Sequence, residues 1–148
     1  MVSKIIILSS LVAVLALAFF IASPAGEPGE NVVMFKSPTC GCCGKYAAYL
    51  RSSGYDVEIV KTSNMSAIKD QYGVPSNMES CHTTIIDGHV VEGHIPVQGI
   101  DYLLEQRPDL DGIALPGMPS GSPGMPGFKT EPFQIFSLEN GIAANLIN

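Results

Sequence analysis

Between Val32 and Arg107, short apolar runs with strand character alternate with segments of helical spacing, and their order restricts the fold more than any other property of the chain. Val32-Val33-Met34-Phe35 reads as a buried strand, broken by Ser37-Pro38-Thr39. A helix follows from near Cys42, because Tyr46, Ala47, Tyr49 and Leu50 recur at helical spacing, and Gly54 closes it. Val57-Glu58-Ile59-Val60 is a second strand. Thr62-Ser63-Asn64 offers an N-cap for a short helix carrying Met65, Ile68 and Tyr72, ended by Gly73. After a loop over 74–79, Thr83 to Ile86 is a third strand, Asp87-Gly88 a two-residue hairpin turn, and His89 to His94 the returning strand. Pro96 suits the first turn of a helix that buries Val97, Ile100, Leu103 and Leu104 and stops at Arg107-Pro108.

The succession β-α-β-α-β-β-α predicts an α/β domain of thioredoxin-like arrangement, with Cys40-Gly41-Cys42-Cys43 at the first strand-to-helix junction. Past Pro108 the composition changes. Residues 116–127 hold PGMP twice, seven residues apart, and the density of Pro and Gly excludes helix there. Residues 132–138 and 142–147 flank Asn140-Gly141, a second hairpin signal. The expectation is one domain over 32–148. Its Met/Pro/Gly-rich loop (116–127) crosses the surface, and a C-terminal β-hairpin (132–147) packs on it.

The first 25 residues read as a targeting segment. Lys4 supplies a positive start, Ile5 to Ala22 is uncharged and nearly all apolar, and Ser23-Pro24-Ala25 places small residues ahead of a cleavage point before Gly26. The apolar run approaches the lower limit of a membrane span, so a cleaved signal peptide and a retained anchor both stand. Residues 26–31 form a polar linker. Either reading puts the domain outside the cytoplasm, in a periplasm or on the outer face of the cytoplasmic membrane, where disulfides are permitted. Contact with the membrane is then expected only through an uncleaved N-terminal segment. The formal net charge of -6 and the lack of any Lys/Arg run argue against nucleic acid and anionic lipid as partners.

All four cysteines and two of the three histidines fall in two tight groups and one strand end. Cys40 and Cys43, at a helix start, would feel the helix dipole, which stabilises thiolate for metal binding or disulfide exchange. A structural disulfide is the plainer alternative. Cys42 would scramble a dedicated dithiol enzyme, whereas in a metal site it adds a ligand. Cys42 and Cys43 project about 100° apart on a helix, which suits bridging between several Cu(I) ions better than one tetrahedral ion. Cys81-His82 precedes the third strand, where a thioredoxin-like fold normally carries a cis-proline; a thiol and an imidazole stand there instead. The plainer alternative is a Cys81 disulfide with a buried, hydrogen-bonded His82.

His89 and His94 flank the fourth strand at odd spacing, so alternation puts them on opposite faces. His94, beside the Pro96 helix start, is taken toward the site and His89 as a surface residue. Met118 and Met125 offer soft thioethers suited to Cu(I), although ordinary apolar contact would also explain them. Met34, Met65 and Met78 read as packing residues.

KSPTCGCCGKYAAYL, SCHTTIIDGHVVEGHIP and LPGMPSGSPGMPG together resemble the exported, thioredoxin-like, metal-binding proteins of the CopG type found with bacterial copper resistance. The likeness covers about Val32 to Leu138. It implies an extracytoplasmic copper protein whose cysteines bind copper and support Cu(I)/Cu(II) interconversion. It points to Cys40, Cys42, Cys43 and Cys81 as ligands, with His94 in the Glu-Gly-His segment as a further one; His82, Met118 and Met125 match the pattern. His89 stands where such sequences often have an aromatic. The expected cargo is copper, as Cu(I) in a multinuclear cluster with Cu(II) accessible, and the expected partners are other exported copper-handling proteins. Copper-dependent oxidoreductase activity would be the enzymatic form of this role. A thiol–disulfide oxidoreductase is the second reading, disfavoured by Cys42 and the missing cis-Pro. A structural zinc module is the third, since thiolate and imidazole also suit zinc.

Overall fold

The computed structural model describes residues 31–106 and 109–147. The expected export signal or anchor (1–25), the expected linker up to residue 30, the expected helix stop at Arg107-Pro108 and the last residue, Asn148, lie outside the described residues. The elements are β1 (Asn31–Lys36), α1 (Gly41–Ser52), β2 (Asp56–Lys61), α2 (Met65–Gln71), β3 (His82–Ile86), β4 (His89–Gly93), α3 (Val97–Gln106), β5 (Gly112–Leu115), β6 (Ile135–Glu139) and β7 (Ile142–Ile147), with a 3-10 turn at Ser76–Met78. The succession β-α-β-α-β-β-α expected from hydrophobic spacing is present over 31–106. The strands form one seven-stranded sheet in the order β2-β1-β3-β4-β5-β6-β7. β1 and β2 run parallel and are joined by the crossover helix α1; β3 is antiparallel to β1, and β4 to β3.

Local chemistry explains the punctuation. The Asn64 side chain accepts from the Ala67 N–H at 3.3 Å and caps α2. Asp87-Gly88 and Asn140-Gly141 each hold two successive positive φ angles, 48° and 82° in the first and 52° and 73° in the second, as a two-residue hairpin turn requires.

Three features differ from the sequence expectation. Asn31, assigned to the linker, pairs with Asp56 and opens β1. Gly112–Leu115 forms an unforeseen strand, β5, parallel to β4; four apolar residues are too few to show a period. The expected C-terminal hairpin is present, and what differs is where it starts. It continues the sheet, β6 pairing antiparallel with β5 and so satisfying an edge that would otherwise be open. Its first strand begins at Ile135 rather than Pro132, which has no N–H to give a ladder.

Apolar side chains fill both faces of the sheet. Met34, Tyr46, Leu50, Ile86, Val91, Ile100 and Ile113 belong to one cluster, under α1 and α3. Val74, Met78, Val90, Ala114 and Leu138, with Tyr72 and Ile85 against them, form another. Because Ile85 and Ile86, and Val90 and Val91, divide between the clusters, the two lie on opposite faces. On α2 the buried residue is not one of the expected apolar positions but Lys69, which meets Glu92 of β4 on the face of the sheet that α2 covers. Among the described residues no helix is long and apolar enough to cross a membrane.

Candidate metal centre

The pairing of Lys36 with His82 sets the end of β1 beside the start of β3. The Ser37-Pro38-Thr39 break then delivers Cys40 to the N-cap of α1, with Cys42 and Cys43 in its first turn, opposite Cys81. Cys40 and Cys43 are joined by a disulfide, and Cys42 and Cys81 are free. Cys42 Sγ lies 3.4 Å from Cys40 Sγ and 3.8 Å from Cys81 Sγ, and Cys43 Sγ lies 3.6 Å from Cys81 Sγ. Two sulfurs on one tetrahedral ion with bonds of about 2.3 Å stand about 3.8 Å apart, so the spacing fits thiolate coordination once the disulfide is reduced. All four sulfurs fall within 4.8 Å of one another. The angular divergence of Cys42 and Cys43 on the helix therefore does not keep them apart. Cys81 approaches both, which makes a single ion as accommodating as a bridged cluster.

Cys81 also heads a second group. Its Sγ lies 3.4 Å from His82 Nδ1 and 3.2 Å from His94 Nε2. These three donor atoms are again within 4.8 Å of one another, so Cys81 is the residue common to a sulfur group and a sulfur–nitrogen group. His94 Nδ1 sits 2.6 Å from the Pro123 carbonyl. A carbonyl only accepts, so Nδ1 carries the proton and the Nε2 lone pair is left facing Cys81. The Tyr46 ring packs on both imidazoles, at centroid distances of 4.7 Å to His82 and 5.2 Å to His94, and its hydroxyl donates to the Ile95 carbonyl at 2.9 Å. His82 is fully buried, and its Nε2 makes no hydrogen bond of ordinary geometry, although the Gly93 backbone acts on the ring electrostatically.

Two solved structures resemble the chain closely. Copper resistance protein CopG in its form 2 is 39% identical, with a TM-score of 0.73, over 79% of this chain and 95% of that one. Form 1 is 41% identical, also at TM-score 0.73, over 80% of this chain and 95% of that one. The chain belongs to the CopG copper-resistance family. A family described as a protein of unknown function, DUF411, matches residues 78–125, which span Cys81, His82, His94, Met118 and Met125. No curated protein matches the sequence.

Within this CopG-family site, burial sets the proton inventory. Burial first, then the neighbouring Cys42, pushes the Cys81 thiol up to about 12. The metal-free protein therefore holds Cys81 as a thiol able to donate to His94 Nε2, and metal binding must displace that proton. Burial first, then His94 and Lys69, holds His82 down to about 3, and burial likewise lowers His94. Both rings are thus neutral and ready to ligate near neutral pH.

Acid should consequently unfold the metal-free chain. The unfolded His82 takes a proton near 6.5 and the folded one only near 3, so lowering the pH through that window favours the unfolded state. Its share should reach about 2–3 kcal/mol two pH units below 6.5. Urea denaturation of the metal-free chain between pH 7.5 and 4.5 reads this directly. A His82→Gln variant with an undiminished slope would show that the ring is not the group responsible.

Six of the sequence-derived residues, Cys40, Cys42, Cys43, Cys81, His82 and His94, come together in two groups that share Cys81. His89 stands apart at the far end of β4, with Nδ1 2.8 Å from the Leu110 carbonyl. Met118 is exposed at a left-handed φ of 47°, and Met125 is half-buried. The 116–127 loop reaches the site through its backbone. Besides the Pro123 carbonyl, Gly124 lies so close to α1 that a Cβ there would come within 2.8 Å of the Tyr46 nitrogen and 3.2 Å of the Cys42 carbonyl.

Sequence reasoning did not single out Tyr46, Pro123, Gly124, Lys69 or Glu92 as parts of the site. For the last pair the sequence carries no local signal, because the two residues meet only through the packing of α2 on β4. Burial pushes the Glu92 carboxyl above its usual range, and the Lys69 ammonium and the Thr83 and Ser80 hydrogen bonds oppose it.

Proposed function

We propose that this chain captures Cu(I) through thiolates outside the cytoplasm and acts in copper resistance or trafficking. Cys81 sits at the centre, Cys40, Cys42 and Cys43 complete the sulfur set, and His94 and His82 stand at its edge. The observation that carries this reading is the sharing of Cys81 Sγ by a four-sulfur group and a two-imidazole group. Thiolates hold Cu(I), and imidazole suits Cu(II), so one residue joins donors for both oxidation states. The copper-resistance relatives and the apolar, signal-like N-terminus support the cargo and the compartment. The methionines of the loop would serve as soft contacts for copper on its way in or out.

Anaerobic titration of the reduced chain with Cu(I) against a competing chelator tests it. The expected result is capture of more than one Cu(I) per chain, held more tightly than zinc. Tighter retention of zinc would favour the structural zinc module.

One observation favours a second reading, thiol–disulfide exchange: the Cys40–Cys43 disulfide opens α1, and a free thiol, Cys81, lies 3.6 Å from Cys43 Sγ. Robust insulin reduction that survives Cys42→Ser and ignores copper would establish it.

A further inference from the structure

On the face of the sheet opposite the metal centre, Glu92 is fully buried and spends both carboxylate oxygens. Oε1 accepts from the Lys69 ammonium and, at 2.5 Å, from the Ser80 backbone N–H. Oε2 accepts from the Thr83 hydroxyl at 2.7 Å, and Lys69 also donates to Thr83 at 3.2 Å. Ser80 and Thr83 bracket Cys81 and His82 in sequence. Thr83 and Glu92 are direct cross-strand partners, and alternation turns their neighbour His82 to the α1 face. Two residues beyond Glu92, after Gly93, comes His94. One carboxylate thus grips both ends of the Cys81-His82 segment and belongs to the strand that presents His94.

We propose that Glu92, held by Lys69, is a positioning residue that sets Cys81 at its distance from Cys43 and His94. This rests on the copper reading only for its consequence; the placement of Cys81 stands without a metal. Ser80 precedes β3, where no ladder secures the chain, so the Ser80 N–H to Glu92 bond is what ties this turn down. The carboxylate needs a cation beside it to be kept in the interior, and α2 supplies one at the single buried position it has. An expensive buried ion pair on the far face from the donors is accounted for by this tie. A sheet needing only packing there would carry apolar side chains.

The test uses variants that remove both charges, since removing one would leave the other stranded. Lys69→Met/Glu92→Gln keeps an oxygen for the Ser80 N–H; Lys69→Met/Glu92→Leu does not. The copper-free readout is a full chain bearing Cys40→Ser and Cys42→Ser, in which the remaining Cys43 and Cys81 are equilibrated with glutathione. Their disulfide constant reports their effective concentration. It should fall about tenfold or more in the Leu pair and recover in the Gln pair. The second readout is Cu(I) affinity of each pair with all cysteines intact. It should fall roughly 10- to 100-fold in the Leu pair, as losses of outer support do, and return toward wild type in the Gln pair. Equal disulfide constants in the two pairs would overturn the proposal. So would a lowered disulfide constant accompanied by an unchanged Cu(I) affinity. If the wild type itself takes no Cu(I) while the disulfide constants separate as expected, the copper reading falls and the positioning role stands.

Discussion

Replacing Cys81 with alanine is expected to weaken Cu(I) capture more than any other single cysteine change, by more than about 100-fold, the upper end of what losing an outer support produces. Cys81 belongs to both donor groups, whereas Cys42 belongs to one. Cys42→Ala should therefore leave the Cys81, His82 and His94 donors together and lose less. Removing Cys81 separates the imidazoles from the remaining sulfurs, and no described cysteine or histidine stands behind it. Competition titrations of the two variants, both fully reduced under anaerobic conditions, give the comparison. Equal losses would mean that the site is a simple sum of thiolates without a central member.

Gly93→Ala should damage the fold around the site severely. Gly93 ends β4 at a φ of 83°, a region where a side chain is strained by about 1–3 kcal/mol. A Cβ there would also stand 2.6 Å from the Leu115 carbonyl and 2.9 Å from Ser80 Oγ, and overpacking adds about 1–3 kcal/mol more. The sum predicts a loss of roughly 2–6 kcal/mol in urea denaturation, with His94 displaced. Gly44→Ala, on α1, has nothing within 4 Å of the added Cβ and serves as the control. A loss below about 1 kcal/mol at Gly93 would show that β4 and β5 can separate without harm, contrary to the geometry.

The elements up to residue 106 could be read because each announces itself locally, through Asp87-Gly88, Asn64 as a cap, or Tyr46 and Leu50 one helical turn apart. The segment from 109 onward could not be read as fully. β5 is four residues long, and its partner β6 lies about twenty residues away, so nothing local reports their pairing. The same distinction divides the site. Thiol and imidazole declare their chemistry by residue type, and their meeting at one junction follows from the order of strands. The support they depend on does not show itself. Lys69 looks like a surface residue of a short helix, and Glu92 like the polar position of a strand. Only the packing of α2 on β4 makes a buried pair of them. The Glu-Gly-His segment suggests one ligand to a reader of the sequence. In the folded chain each of its three residues has a distinct place, Glu92 in a buried ion pair, Gly93 at a left-handed turn and His94 beside Cys81.

The PGMP repeat stands out in the sequence for its methionines, yet its second copy also reaches the site through a proline carbonyl and a glycine with no side chain to yield. This bears on where the working unit ends. A chain cut after α3 would retain every cysteine and histidine, as well as the β-α-β-α-β-β-α succession. It would leave His94 Nδ1 without the acceptor that sets its proton, uncover the first turn of α1 where Gly124 rests, and strip β4 of its neighbour β5. The site and the core both extend past α3, since Leu110, Ile113, Leu115 and Ile135 belong to the cluster that holds Met34 and Tyr46. Anyone transplanting this centre into another scaffold would need to carry along a stretch of loop that contributes no ligating side chain of its own through Pro123 and Gly124.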